Sequence, residues 1–420
     1  MSVRVTALPS GLRIVTDANP LLRTAAIGLF VAAGSRHERE EEHGLSHLLE
    51  HMAFKGTGSR NAREIAETIE NVGGDLNAET GVGQTGYFAH VLSEDAGLAL
   101  ELLADIYCDS RFDSVELERE KNVIVQEIGA VEDTPDDLVF DHLSAVAWKG
   151  QAIGRAILGT RETVGSFGRD SIDAYLKRHY RARATVVAAA GAVDHDEIVA
   201  RAEAALDSLG PDAAPAPTPA SYTGGEILTK KGLEQTHIVL GFAGRAVPQA
   251  DHDAAHVFAT AVGGGMSSPL FQEVREKRGL AYAINAFHWS FADAGLFGVY
   301  AGCAAKDAGE LTAAALDCLA EATGRLDEAA VARAKAQMKV ATLSVLEQPG
   351  ARAQQLARQL FAYQRTLTLE EAIARIDAVD AGAARAAGAA MLRSAPTVAA
   401  IGRIGKVWPA EKVARRLASV

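Results

Sequence analysis

Two apolar runs, RTAAIGLFVAAGS from Arg23 and THIVLGFAG from Thr236, lie near the start of each half of the chain and have the character of buried β-strands. Elsewhere apolar residues recur every three or four positions, which predicts amphipathic helices over 61–72 and 93–109. GDLNAETGVGQTGYFAHVL, from Gly74, predicts two short strands around a glycine-rich turn. Strands broken by long helices, without strict strand–helix–strand alternation, point to an α+β fold.

The pattern occurs twice. RFDSVELEREKNVIVQEI from Arg111 aligns with RLDEAAVARAKAQMKVAT from Arg325, placing Arg119 over Arg333 and Lys121 over Lys335. Further on, TVVAAAG from Thr185 matches TVAAIG from Thr397, both short buried strands by composition. Two matches in the same order indicate an internal duplication. The proline- and alanine-rich stretch LGPDAAPAPTPASYTGG separates the copies. The expected division is a first lobe at 1–210, a linker at 211–224 and a second lobe at 225–420.

Composition narrows the class. The chain has 420 residues and a net charge of -12, which argues against nucleic acid as a partner and favours cationic ligands. Three cysteines, Cys108, Cys303 and Cys318, without CxxC spacing, read as buried thiols rather than as a disulfide or zinc-ribbon framework. The opening residues lack a secretory pattern, and the longest apolar runs, such as 184–193, are about half a membrane span. A cytoplasmic protein with no membrane partner is expected, with the periplasm as the alternative.

The candidate chemistry lies in HGLSHLLEHMAFKGTGS, from His43. A helix turns about 100° per residue, so His47 and His51 project side by side and can ligate one zinc ion. Glu50, offset by one residue, suits a general base for a zinc-bound water. A catalytic zinc takes a third protein ligand. Glu120 and Glu127 share a helical face seven residues apart. Glu127 lies in the apolar stretch VIVQEI, where an unpaired carboxylate is costly to bury, and is the expected third ligand. Glu120 is then expected to orient a ligand histidine. The second copy has Ala334 and Ala341 at these positions and no HxxEH, so both carboxylates are lost together with the motif. His37 and His43, beside the charged HEREEEH run, are expected at the surface; His142, His256 and His288 are expected as ordinary core or surface histidines.

GSRHEREEEHGLSHLLEHMAFKGTGSRNAREIAETIENVGGDLNAET resembles the first-lobe signature of the pitrilysin/insulinase family of zinc metallopeptidases, and its branch with short processing-protease-type subunits. That family carries HxxEH and a glutamate 76 residues after the second histidine, which here is Glu127, with a catalytic-assisting glutamate at Glu120. The resemblance implies two homologous α/β-sandwich lobes, the second inactive but contributing an Arg and a Tyr to substrate, here Arg275 and Tyr282. It implies an edge strand that pairs with an extended peptide, with Asn77 and Ala78 touching it. It also implies a clamshell dimer enclosing a chamber. One departure is Pro269, where relatives carry Arg.

The resulting expectation is a zinc endopeptidase, one Zn2+ per chain, acting on short or unfolded and preferentially basic peptides. A homodimer is expected, with a heterodimer containing a homologous subunit as the alternative. The competing function is a non-catalytic structural or assembly subunit.

Overall fold

A computed structural model describes residues 2–418. The strands are β1 (Ser2–Ala7), β2 (Arg13–Ala18), β3 (Thr24–Val31), β4 (Asp75–Thr80), β5 (Thr85–Leu92), β6 (Thr185–Gly191), β7 (Gly225–Lys230), β8 (Gln235–Ala243), β9 (Ala281–Ser290), β10 (Gly295–Ala304) and β11 (Thr397–Gly402). Helices of the first half are α1 (Leu45–Ala53), α2 (Ala62–Glu70), α3 (Ala96–Cys108), α4 (Ser114–Asp133), α5 (Pro135–Ala147), α6 (Arg161–Ser166), α7 (Arg169–His179) and α8 (His195–Ala205). Those of the second half are α9 (His252–Gly263), α10 (Ala308–Arg325), α11 (Glu328–Leu346), α12 (Pro349–Tyr363), α13 (Leu369–Asp377), α14 (Ala381–Leu392) and α15 (Ala410–Ala418).

Two sheets result, one of six strands in the order β1-β2-β6-β3-β5-β4 and one of five in the order β7-β11-β8-β10-β9. Each has a single parallel pair, β2 with β6 and β7 with β11, and is otherwise antiparallel. With β1 set aside, the two orders are the same, strand for strand. The mixed α/β architecture and the duplication read from the sequence are therefore present in the backbone. β6 and β11 are the matched short strands TVVAAAG and TVAAIG, buried along their whole length.

A strand buried on both faces needs cover on each. On the first sheet, Val187 and Ala189 face the main core with α3 and α8. Val186, Ala188 and Ala190 face a separate cluster closed by Ala353, Leu356, Ala357 and Leu360 of α12. On the second sheet, α9, α10 and α14 cover one face and α5 the other.

The compact units consequently differ from the expected division at 211–224. One contains 1–129, 155–218 and 343–366; the other contains 130–154, 219–342 and 367–420. Each half of the sequence gives one helix to the unit built mainly from the other half: α12 joins the first, α5 the second. An apolar helical stripe records that a face is buried, but not against which sheet. Residues 211–224 themselves form no helix or strand.

Among the described residues no helix is long and apolar enough to cross a membrane. Of the cysteines, Cys303 and Cys318 are buried thiols, but Cys108 is exposed at the end of α3. Pro269 stands at the first turn of a helix that continues as a π-helical turn, Phe271–Lys277, a position that needs no backbone donor.

Candidate metal centre

The site is built on α1. Gly44 caps it with φ of 96°, and a Cβ there would come within 2.7 Å of the Gly159 Cα and Leu158 carbonyl, so only glycine fits this entry. The first free N–H groups are met by a side chain from the preceding loop. Glu38, 3% exposed, accepts from Gly44 N at 2.9 Å and Ser46 N at 2.7 Å. Burial raises the Glu38 carboxyl to about 7, against the pull of these two backbone N–H bonds.

The HEREEEH run is thus not a solvated stretch. Arg36, Glu38 and Glu42 are buried, and Glu42 is paired with Arg178 at 2.6 Å. His43, expected at the surface, is half-buried with Nε2 2.7 Å from the Ala156 carbonyl. His37 is half-buried as well, its Nδ1 accepting from Gly34 N. Charge alone suggests exposure; here Glu38 and Glu42 each have dedicated partners.

His47 and His51 lie one turn apart on α1, their ring centroids 4.7 Å apart. Each places Nε2 3.7 Å from the same oxygen, Oε2 of Glu127 on α4. The three donor atoms lie within 4.8 Å of one another. Tetrahedral zinc with bonds of about 2.0–2.2 Å holds its ligands about 3.3–3.6 Å apart, so the set is close to the required spacing. The protonation states also fit. Burial, helped by His51, lowers His47 to about 4, leaving the neutral ligating form. His51 Nδ1 lies 2.9 Å from Glu120 Oε2, which makes Nδ1–H the donor and turns the Nε2 lone pair toward Glu127.

Glu127, read from its apolar stretch as a buried carboxylate, is the more exposed of the two. The Glu127 side chain is 40% exposed and that of Glu120 8%. The buried stripe of α4 is Leu117, Glu120, Lys121, Ile124 and Ile128, so VIVQEI straddles both faces and Val123 points out. Burial works against ionisation of Glu120, but hydrogen bonds from Lys55 and His51 outweigh it and hold the carboxyl below its usual range.

Lys55 was not apparent from the motif. Its Nζ stands 2.7 Å from Glu120 Oε1. The signal was present, since Lys55 continues the i, i+4 series His47, His51. A buried tyrosine group was also missed: Tyr87 and Tyr180 share a hydroxyl bond of 2.9 Å, and the charge of Glu50 contributes to raising both phenols, after the larger effect of burial.

Asn77 and Ala78 lie on β4, an edge strand that among the described residues pairs only with β5. Asn77 is exposed and its Oδ1 accepts from Ala78 N at 2.8 Å. In the second unit, the Arg275 guanidinium stacks between Phe271, at 4.6 Å from the ring centre, and Tyr282, at 4.8 Å. Tyr282 is 77% exposed, which excludes a core aromatic.

The counterpart helix α9 carries a histidine pair of its own, His252 and His256, with Ala255 in place of the glutamate. With His288 they surround the Ser290 hydroxyl, each at 3.1 Å. His288 Nε2 accepts from Arg245 N, and His252 Nδ1 donates to Asp253, so each ring nitrogen of these two residues is engaged. His256 and His288 are half-buried and each is hydrogen-bonded to Ser290. His142 keeps a buried Nδ1 that has no hydrogen-bond partner among the described residues.

The chain is similar to known proteins along most of its length. The family model described as insulinase (peptidase family M16) matches residues 13–161, and that of the peptidase M16 inactive domain matches 166–338. An uncharacterized zinc protease of Streptomyces coelicolor is 38% identical over 96% of this chain and 90% of its own length. A probable mitochondrial-processing peptidase subunit beta of Arabidopsis thaliana is 39% identical over 90% of this chain and 74% of its own. Among solved structures, a chain of complex III2 from Candida albicans superposes with a TM-score of 0.89 at 25% identity, covering 99% of this chain and 100% of that one. The chain belongs to the insulinase family, peptidase family M16.

Proposed function

We propose that this protein is a zinc-dependent endopeptidase, with His47, His51 and Glu127 as the metal ligands and Glu50 as general base. The observation that carries the reading is the convergence of both Nε2 atoms on one Glu127 oxygen, with Glu50 immediately before His51 on the same helix. The ion, when bound, supplies Lewis acidity that polarises the scissile carbonyl and acidifies the attacking water. Glu50 accepts the proton of that water and passes it to the leaving amine. Glu120 keeps His51 in the ligating tautomer.

The peptide lies extended along β4, whose free edge offers backbone groups beside Asn77 and Ala78. Tyr282 and Arg275 serve the substrate, the phenol toward the developing oxyanion and the guanidinium toward a carbonyl. The net charge of -12 favours basic peptides. The working assembly is a homodimer enclosing a chamber in the cytoplasm. The naming of the Arabidopsis relative as a subunit beta supports the alternative, a pairing with a homologous subunit. The similarity to a chain of complex III2 supports a second reading, a non-catalytic subunit.

Zinc analysis beside cleavage of a quenched peptide decides between them. Wild type should hold one zinc and cleave, and Glu50→Gln should hold the zinc and lose hydrolysis by about 10^3-fold or more. A zinc-loaded wild type that cleaves no peptide of a broad library favours the non-catalytic subunit. Cleavage surviving Glu50→Gln removes Glu50 as the base.

A further inference from the structure

The stripe His47, His51, Lys55 on and just beyond α1 faces the pair Glu127, Glu120 on α4 in antiparallel order. Glu127 meets both histidines, and Glu120 meets His51 and Lys55. Lys55 follows the end of α1, but its N–H donates to the Met52 carbonyl at 3.2 Å, so the chain keeps turning and the side chain continues the stripe. Gly56, at φ of 126°, then releases the chain.

From this arrangement we infer that Lys55 is a positioning residue for the metal centre: it anchors the Glu120 carboxylate, which in turn fixes the orientation of His51. Both Glu120 oxygens are used, Oε1 by Lys55 at 2.7 Å and Oε2 by His51 at 2.9 Å. The carboxylate is buried, so losing Lys55 leaves an oxygen uncompensated where water is scarce. Glu120 then has reason to rotate or draw in solvent, and the His51 ring loses its fixed support. A lysine meets the requirement as a compact charge, and arginine retains that charge with a different reach.

This inference rests on the zinc reading, and the experiment separates the two. The zinc dissociation constants of wild type, Lys55→Met and Lys55→Arg are measured by chelator competition, with thermal melting of each metal-free protein alongside. Lys55→Met should weaken zinc binding by about 10–100-fold, with Lys55→Arg recovering much of the loss. In a Glu120→Ala background, Lys55→Met should add little further loss. Wild-type zinc affinity in Lys55→Met, whatever happens to melting, overturns the inference and leaves the zinc reading intact. So does an equal loss with and without Glu120, which shows that Lys55 acts by another route. A wild type that binds no zinc overturns the zinc reading itself.

Discussion

Asp17 on β2 and Arg352 on α12 meet through Oδ2 and Nε at 2.7 Å, although 335 residues separate them in the chain. Their side chains are 3% and 11% exposed. The pair ties the exchanged helix to the sheet it covers, beside the apolar contact of Leu356 and Leu360 with Val15, Phe30 and Val186. Breaking a buried ion pair strands one charge, so Asp17→Ala or Arg352→Ala should each destabilise by about 3–5 kcal/mol. Replacing both with apolar residues of similar size should cost much less. Urea unfolding midpoints of the single and double variants test this.

Glu38 should stabilise the metal-bearing helix. Removing its side chain in Glu38→Ala leaves Gly44 N–H and Ser46 N–H without their acceptor, at a cost of about 1–3 kcal/mol. Glu38→Gln keeps one carbonyl acceptor and should fall between. Because α1 carries both histidines, the alanine variant should also bind zinc more weakly. Melting temperature and zinc competition measured together check both effects.

The two α4 carboxylates should separate by role. Glu127→Ala removes a ligand and should abolish stoichiometric zinc at micromolar concentration. Glu120→Ala removes only the support of His51 and should weaken binding by about 10–100-fold while leaving one site per chain. Metal analysis after dialysis, with chelator titration, distinguishes them.

His256 and His288 should make the second unit acid-sensitive. Burial, then the neighbouring histidines and Arg245, lowers His288 to about 2; burial, then His252, lowers His256 to about 4 against the opposing pull of Asp253. Asp251 pairs with Arg245, and Arg375 with Asp253. The folded state therefore binds fewer protons than the unfolded chain below the ordinary histidine value of 6.5. Stability from these groups is complete above that pH and declines as pH falls toward the folded values, by about 1.4 kcal/mol per pH unit for each fully suppressed histidine. Glu38, held protonated to about 7, acts in the opposite direction. The readout is accordingly a difference: between pH 7 and 5 the melting temperature of wild type should fall more steeply than that of His288→Asn.

Sequence by itself determined the elements whose partners lie within one helical turn or along one strand. The pairing of His47 with His51, the offset of Glu50 and the common face of Glu120 and Glu127 all follow from backbone periodicity, and the second copy showed which residues it lacked. Tertiary structure alone decided which sheet α5 and α12 cover, that Glu38 and Glu42 are interior, and that Lys55 rather than solvent meets Glu120. Apolar attraction has no direction and a charge can be satisfied by any opposite partner, so neither names its partner until the whole chain has closed.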